Sequence, residues 1–448
     1  MSGLRHNLGR LSHDVAHEIV VNIFAAAAIG ALAFVLLGGR VEDLYVRLRG
    51  SAPVSGEVTL LAIDEESFYL WNPYQPEPES TPRALLAEVV RFLTVAGARV
   101  IVLDVLTDQP AEGDEALVVA VQAHGRVVAA ERFSSGRADG ATPFAAASVL
   151  SEVALPGFAN FGLEEQTLFS DDLVVRSVPL VARVARARLS GPFPTGLVGS
   201  FQDDGAPVPA IALAAAWLQR SDEAPESLAQ AIASRCGGTP LQCTANTAVL
   251  GLAATPGLLH EGLPVNFRGP EGGDRIPAIS GARVLRSLGE SAIARTMGLE
   301  LPISVPADIE ERVRGKVVIV GRVDAAAEDH FVTPFSFPAM IEADMSGPRV
   351  HAQVIDTLLS GRHVRRVDGL WAWGAAMTAG IAVLLTGRRA GVGHLAGWTA
   401  VGAGMLTAGA TVFRAFDGFV LDVAPALAIG ACSLVAVHLY ARGSTPSE

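Results

Sequence analysis

Lysine is almost missing from this chain: Lys316 is its only example, and arginine carries the rest of the positive charge. Acidic residues outnumber basic ones, and the formal net charge of -12 argues against binding nucleic acid by charge. The arginine bias reads as a GC-rich bacterial genome. Cysteine is also scarce, at three residues. Cys236 and Cys243 bracket Gly237, Gly238 and Pro240. They either close a small loop by a disulfide in an oxidising compartment or stand as two free thiols, and spacing alone does not decide between these. Neither has the neighbouring ligands that a metal site requires. No phosphate loop of the GxxxxGK[ST] type, no GxSxG, no HExxH, no Cys-x-x-Cys and no catalytic triad occurs. Internal repeats are absent too, as is any linker long enough to separate two soluble domains. The expectation is a protein that is not an enzyme and needs no cofactor.

What is abundant is apolar length. Half of the residues are hydrophobic and the mean hydropathy is +0.38, too high for an ordinary soluble protein of this size. Four stretches, 19–38, 370–386, 394–413 and 419–440, approach the roughly 20 helical residues that cross a bilayer. Asn22 is the single polar side chain in the body of the first, while the fourth has Asp422 and His438 near its ends, where they can snorkel. The first stretch exceeds a signal-peptide core and lacks a small-x-small cleavage site, so it reads as a retained span. Arg5, Arg10, Arg388, Arg389 and Arg442 fall on one side of the resulting topology, which marks that side as cytoplasmic. Arg40, Arg47, Arg49, Arg362, Arg365 and Arg366 flank the opposite side, but a long domain translocates largely regardless of such charges. The expected order is a cytoplasmic 1–18, a span, an external domain over 39–367, three spans, and a short cytoplasmic tail over 441–448.

The external domain reads as alternating strands and helices. Val58–Ile63, Arg99–Leu106, Arg126–Ala130 and Lys316–Val320 are short β-branched runs, and Ala248–Leu252 and Gly262–Phe267 are weaker ones. Helical periodicity marks Pro82–Ala96, Asp114–Ala123, Ile211–Gln219, Glu226–Ser234 and Gly347–Leu359. One α/β domain with a mixed, largely parallel sheet flanked by helices follows, plus four transmembrane helices. Acids stand at strand ends: Asp64 after the first strand and Asp104 at the end of the second. In a parallel sheet that position lines ligand crevices, although Asp64 before Glu65, Glu66 and Ser67 equally suits a helix cap.

The blocks Arg40-Val-Glu-Asp-Leu-Tyr-Val-Arg-Leu-Arg49, Ala62-Ile-Asp-Glu-Glu-Ser67, Gly97-Ala-Arg-Val-Ile-Val-Leu-Asp104 and Gly113-Asp-Glu-Ala-Leu117 come in an order that resembles the amino-terminal half of a CHASE2 extracellular sensor domain. The second half continues the resemblance with Phe158-Ala-Asn-Phe-Gly162, Asp171 to Leu180, Val265-Asn-Phe-Arg-Gly-Pro270, Arg314 to Gly321, Asp329 to Pro334 and Val350 to Gly361. Where the family commonly has a Trp-Pro-Trp-Pro-Arg-like turn, this chain has Trp71 to Arg83 and keeps only the closing Pro82-Arg83.

The resemblance implies environmental sensing with no catalytic residue to carry over. Such receptors usually continue into a cyclase or kinase module, and this sequence stops near Arg442. The expectation is therefore a membrane sensor or sensor subunit that detects a small molecule or partner and signals to a separate effector such as a kinase or nucleotide cyclase. Gly393 with Gly397, and Ala375 with Ala379, are small-residue pairs that suit contact between membrane helices, with a partner, with another copy, or within the chain. Candidate ligand-binding residues are Asp64, Arg83, Asp104, Arg176, Asn266, Arg268, Asp329 and His351. Arg176 and Arg268 are read either as anion contacts or as partners of the acids at 64, 104 and 329. Two other classes remain: an external metal-dependent hydrolase using Asp64, Asp104 and Asp329, and a constitutive membrane scaffold.

Overall fold

The structure, a computed structural model, describes residues 42–72, 74, 80–131, 133–134, 144–146, 148–159, 161, 174–183, 185–188, 200–202, 207–222, 262–270, 273, 275–296, 302–325, 327, 329–336, 345–366, 411–412, 414–415 and 419–420. The chain divides into two compact units, Gly50–Glu165 with Asp172–His363, and Met1–Arg49 with Gln166–Asp171 and Val364–Glu448.

Short runs of valine, isoleucine and leucine build the first unit. They form β1 (Val58–Ile63), β2 (Val100–Asp104), β3 (Val127–Glu131), β4 (Leu155–Phe158), β5 (Ala278–Ser280) and β6 (Val317–Arg322). The order across the sheet is β5-β1-β6-β2-β3-β4 and every pairing is parallel. The strands are apolar nearly throughout because helices cover both faces. These helices are α1 (Glu65–Trp71), α2 (Arg83–Val95), α3 (Asp114–His124), α4 (Ile211–Arg220), α5 (Gly281–Thr296), α6 (Ala307–Val313) and α7 (Gly347–Ser360).

On one face, Leu85, Val89 and Phe92 of α2 and Leu117 and Val121 of α3 share a core with Ile101, Leu103, Val127, Val318 and Val320. The other face carries α4 and α7, which pack on each other and on the sheet. Gly157 in β4 admits α4, since a Cβ there would lie 2.7 Å from the Ile211 Cα.

The expected strands at 58–63, 99–106, 126–130 and 316–320 all appear, shifted by at most two residues at either end. The strand expected over Gly262–Phe267 shortens to Leu263–Pro264, paired with Ser177–Val178. A second sheet joins Phe133–Ser134, Phe144–Ala146, Ala185–Arg188 and Ser200–Gln202. Nothing in the sequence pattern had signalled it. Glu226–Ser234, Ala248–Leu252, Cys236 and Cys243 lie outside the described residues.

Of the second unit, residues 42–49 are helical, and Arg365–Arg366 pairs in parallel with Phe419–Val420. The stretch expected to open the fourth span therefore begins in extended backbone. The rest of that stretch, the first two apolar stretches, and all but 411–412 of the third lie outside the described residues. Among the described residues no helix is long and apolar enough to cross a membrane.

Candidate functional site at the strand ends

Connections leaving the sheet part company at β6. After β1 the chain turns into α1, and after β2 into α3, both on the face that carries α2. After β6 it runs through β7 (His330–Phe331) and β8 (Met345–Ser346) into α7 on the opposite face. Adjacent parallel strands whose connections leave to opposite faces open a crevice beyond their carboxyl ends.

Two glycines let α7 and the segment before it pack closely onto these strand ends. Gly321 in β6 stands in register with Asp104 in β2, and a Cβ on it would overlap the Pro348 ring. Gly347 opens α7, donates its N–H to the Asp329 carbonyl at 2.8 Å, and leaves room for the Asp329 carboxylate, which a Cβ would overlap. The Asp329 anion thus lies beside the positive end of a 14-residue helix, which favours its charge.

Asp104 has no such support. Its Oδ2 is buried without a hydrogen-bond partner, and burial first, then the Asp329 charge, hold its carboxyl well above the usual carboxylate range. Two carboxyls sharing a low-dielectric site resist simultaneous ionisation. A pair holding one proton and one negative charge also matches the helix terminus.

His351 lies one turn farther along α7. Its ring stacks on Phe161 with centroids 4.3 Å apart, and Phe161 in turn meets Phe331 edge to face at 4.6 Å. Nε2 donates to the Ala159 carbonyl at 3.2 Å, which leaves Nδ1 as the bare acceptor, and burial pushes the imidazole down to about 3. At neutral pH it is an uncharged packing group.

Arg268 is fully buried and is not an anion site open to a ligand. Its Nε donates to Asp356 at 2.8 Å, its Nη2 to the Ser360 hydroxyl at 2.9 Å, and its backbone N–H to Gln353 at 2.7 Å. The acid it pairs with is on α7, not Asp64, Asp104 or Asp329. Asn266 makes a similar tie, from Nδ2 to the Arg362 carbonyl at 2.7 Å. Both residues fasten the second half of α7 to the segment after Leu263–Pro264. Asp356, Gln353 and Ser360 were not anticipated, although an amide, an acid and a hydroxyl on one face of the helix were a readable signal of a buried cation opposite.

The remaining candidates make contacts of their own. Asp64 caps α1: its Oδ1 accepts from the backbone N–H and hydroxyl of Ser67, and its Oδ2 from the Ser280 hydroxyl at 2.8 Å. Arg83 pairs with Asp114 at 3.1 Å between α2 and α3. Half-buried Arg176 precedes Ser177–Val178, and its carbonyl accepts from Val265 N–H at 2.9 Å. Asp64 thus does not join Asp104 and Asp329, and the three-carboxylate site of a hydrolase does not assemble. Among the described residues no group of three or more His, Cys, Asp or Glu side chains is placed to hold a metal ion.

A parallel α/β sheet with a buried acid pair at its strand ends and a helix closing over them defines the class of the molecule: a parallel α/β domain. The CHASE2 domain matches residues 19–390, more than half of the chain, and the chain belongs to that family. CHASE2 domains are extracellular sensor domains. Comparison with curated proteins and with solved structures returns no match.

Proposed function

We propose that this chain is a multi-pass membrane sensor, or the sensing subunit of a complex, whose external domain responds to a small molecule or partner. The response passes along α7 and the membrane helices to a separately encoded effector of the kinase or nucleotide-cyclase kind. One observation carries the reading. α7 begins at the strand ends, with Gly347 and Pro348 against Asp329 and Gly321, and ends at Ser360, ten positions before the apolar run that opens at Leu370.

A sensor needs an element with two arrangements that a ligand can bias. The helix's first turn rests on a titratable acid pair, whereas its second half is tied by a fully satisfied ion pair. The strand-end contacts are the ones a ligand can alter without dismantling the domain.

The scarcity of lysine supplies a clean test. An amine-reactive reagent that cannot cross membranes, applied to intact cells, is expected to modify half-buried Lys316 and to spare the α-amino group until lysis, with Lys316→Arg abolishing the external signal. Protection of Lys316 with labelling of the amino terminus would reverse the orientation and end the external-sensor reading. Cross-linking in the same membranes is expected to trap the effector on the chain.

A further inference from the structure

The amino terminus of α2 ends in loose donors. Its N-cap is Pro82, which brings neither a capping side chain nor an N–H, and no acid stands in the first turn. The N–H groups of that turn therefore lack the acceptor that a capping side chain supplies.

Two side chains at this end are loose as well. Arg83 is only 4% exposed; its Nε donates to Asp114 at 3.1 Å and its Nη2 reaches the Gln109 carbonyl at 3.4 Å, while Nη1 has no partner. Thr81 is 2% exposed and its hydroxyl has no partner either. Buried donors without acceptors are rare, and each costs about 1–3 kcal/mol. Finding two beside an uncapped helix terminus calls for an acceptor that the chain does not supply. Gly113, at φ 92°, packs against the same turn, and a Cβ on it would come within 2.7 Å of the Ala84 nitrogen.

We infer that the amino terminus of α2 binds a carboxylate-bearing small molecule, held by the Arg83 guanidinium, the Thr81 hydroxyl and the free N–H groups of the first turn. The charge nearby selects the class. Asp114 already takes part of the Arg83 charge, and Glu115 stands next to it in the first turn of α3. A single negative charge is thus matched, and a doubly charged phosphate is repelled. A planar carboxylate also suits the guanidinium fork. That this anion is what the domain senses rests on the sensor reading; the binding itself does not.

The test is thermal unfolding of the full-length chain in acetate, chloride or phosphate at equal ionic strength and pH. Acetate is expected to raise the midpoint above that in chloride or phosphate. Thr81→Val removes only the unpaired hydroxyl, so without acetate it unfolds at or above the wild-type midpoint, and most of the acetate-induced shift disappears. Arg83→Gln removes the shift completely. An equal response to all three salts, a larger response to phosphate, or an acetate shift that Thr81→Val leaves intact overturns the assignment. None of these results bears on the orientation of Lys316, so failure of the site and failure of the sensor reading are separable.

Discussion

Replacing Arg268 with leucine is expected to destabilise the domain by about 3–5 kcal/mol, because it leaves the Asp356 carboxylate buried without its counter-charge. Both members of the pair are essentially inaccessible, at 0% and 1% side-chain exposure, so water cannot compensate. Asp356 keeps one bond, from the Ser55 N–H at 2.7 Å, which does not neutralise it. Asp356→Leu is expected to be as damaging, since it orphans the guanidinium. The double variant Arg268→Leu with Asp356→Leu should be less destabilised than the sum of the two, because the desolvation of both charges is avoided together. Thermal unfolding of the purified full-length chain is the measurement. Single variants that unfold like the wild type would show that the pair does not anchor α7.

The second large effect is on pH dependence. Asp104 is held protonated in the folded domain above its unfolded value. Its contribution to stability is therefore fully present below the unfolded value and lost as pH rises through the folded one. His351 has the opposite sign. Its folded value of about 3 lies below the ordinary 6.5, so its contribution is present above 6.5 and lost as pH falls toward 3. His124, brought down to about 4 by burial first and then by Arg126, adds to that acid limb.

Wild-type stability should thus peak at intermediate pH and fall on both sides. Asp104→Asn, which mimics the protonated acid, is expected to remove the alkaline fall and leave the acid one. His351→Gln is expected to weaken the acid fall and leave the alkaline one. Unfolding midpoints across the pH range report both, and an alkaline fall that persists in Asp104→Asn would contradict the assignment of that limb to Asp104.

Much of the fold was legible because its signals are local. Val58–Ile63 and Val317–Arg322 are β-branched runs too apolar to be anything but central strands, and Asp114–His124 lies between glycines that take positive φ at both ends. The cap at Asp64 was readable for the same reason, since Ser67 is only three residues away. Asp104 and Asp329 were both flagged singly, but their meeting depends on β6 inserting between β1 and β2, and on β7 and β8 turning the chain toward α7. No local pattern encodes that strand order. The partner of Arg268 was misassigned on similar grounds: the acids at strand ends drew attention, whereas Asp356 lies on a helix face that reads as core. The orphaned Thr81 and Nη1 of Arg83 were beyond sequence reading, because an unmet hydrogen bond is visible only once every neighbour is placed.

The account turns on whether the acid pair governs the start of α7. Amide hydrogen exchange along Gly347–Ser360 in the full-length chain, corrected for the intrinsic pH dependence of exchange, measures this directly. As pH rises through the titration of Asp104, protection of the Gly347 amide, which bonds the Asp329 carbonyl, and of the His351 amide is expected to fall while α2 and the Arg268-anchored end of α7 stay protected. In Asp104→Asn the same residues should stay protected throughout. Protection of the first turn that is indifferent to pH, or a loss that spreads evenly over α2 and α7, would contradict the claim that this crevice sets the position of the helix.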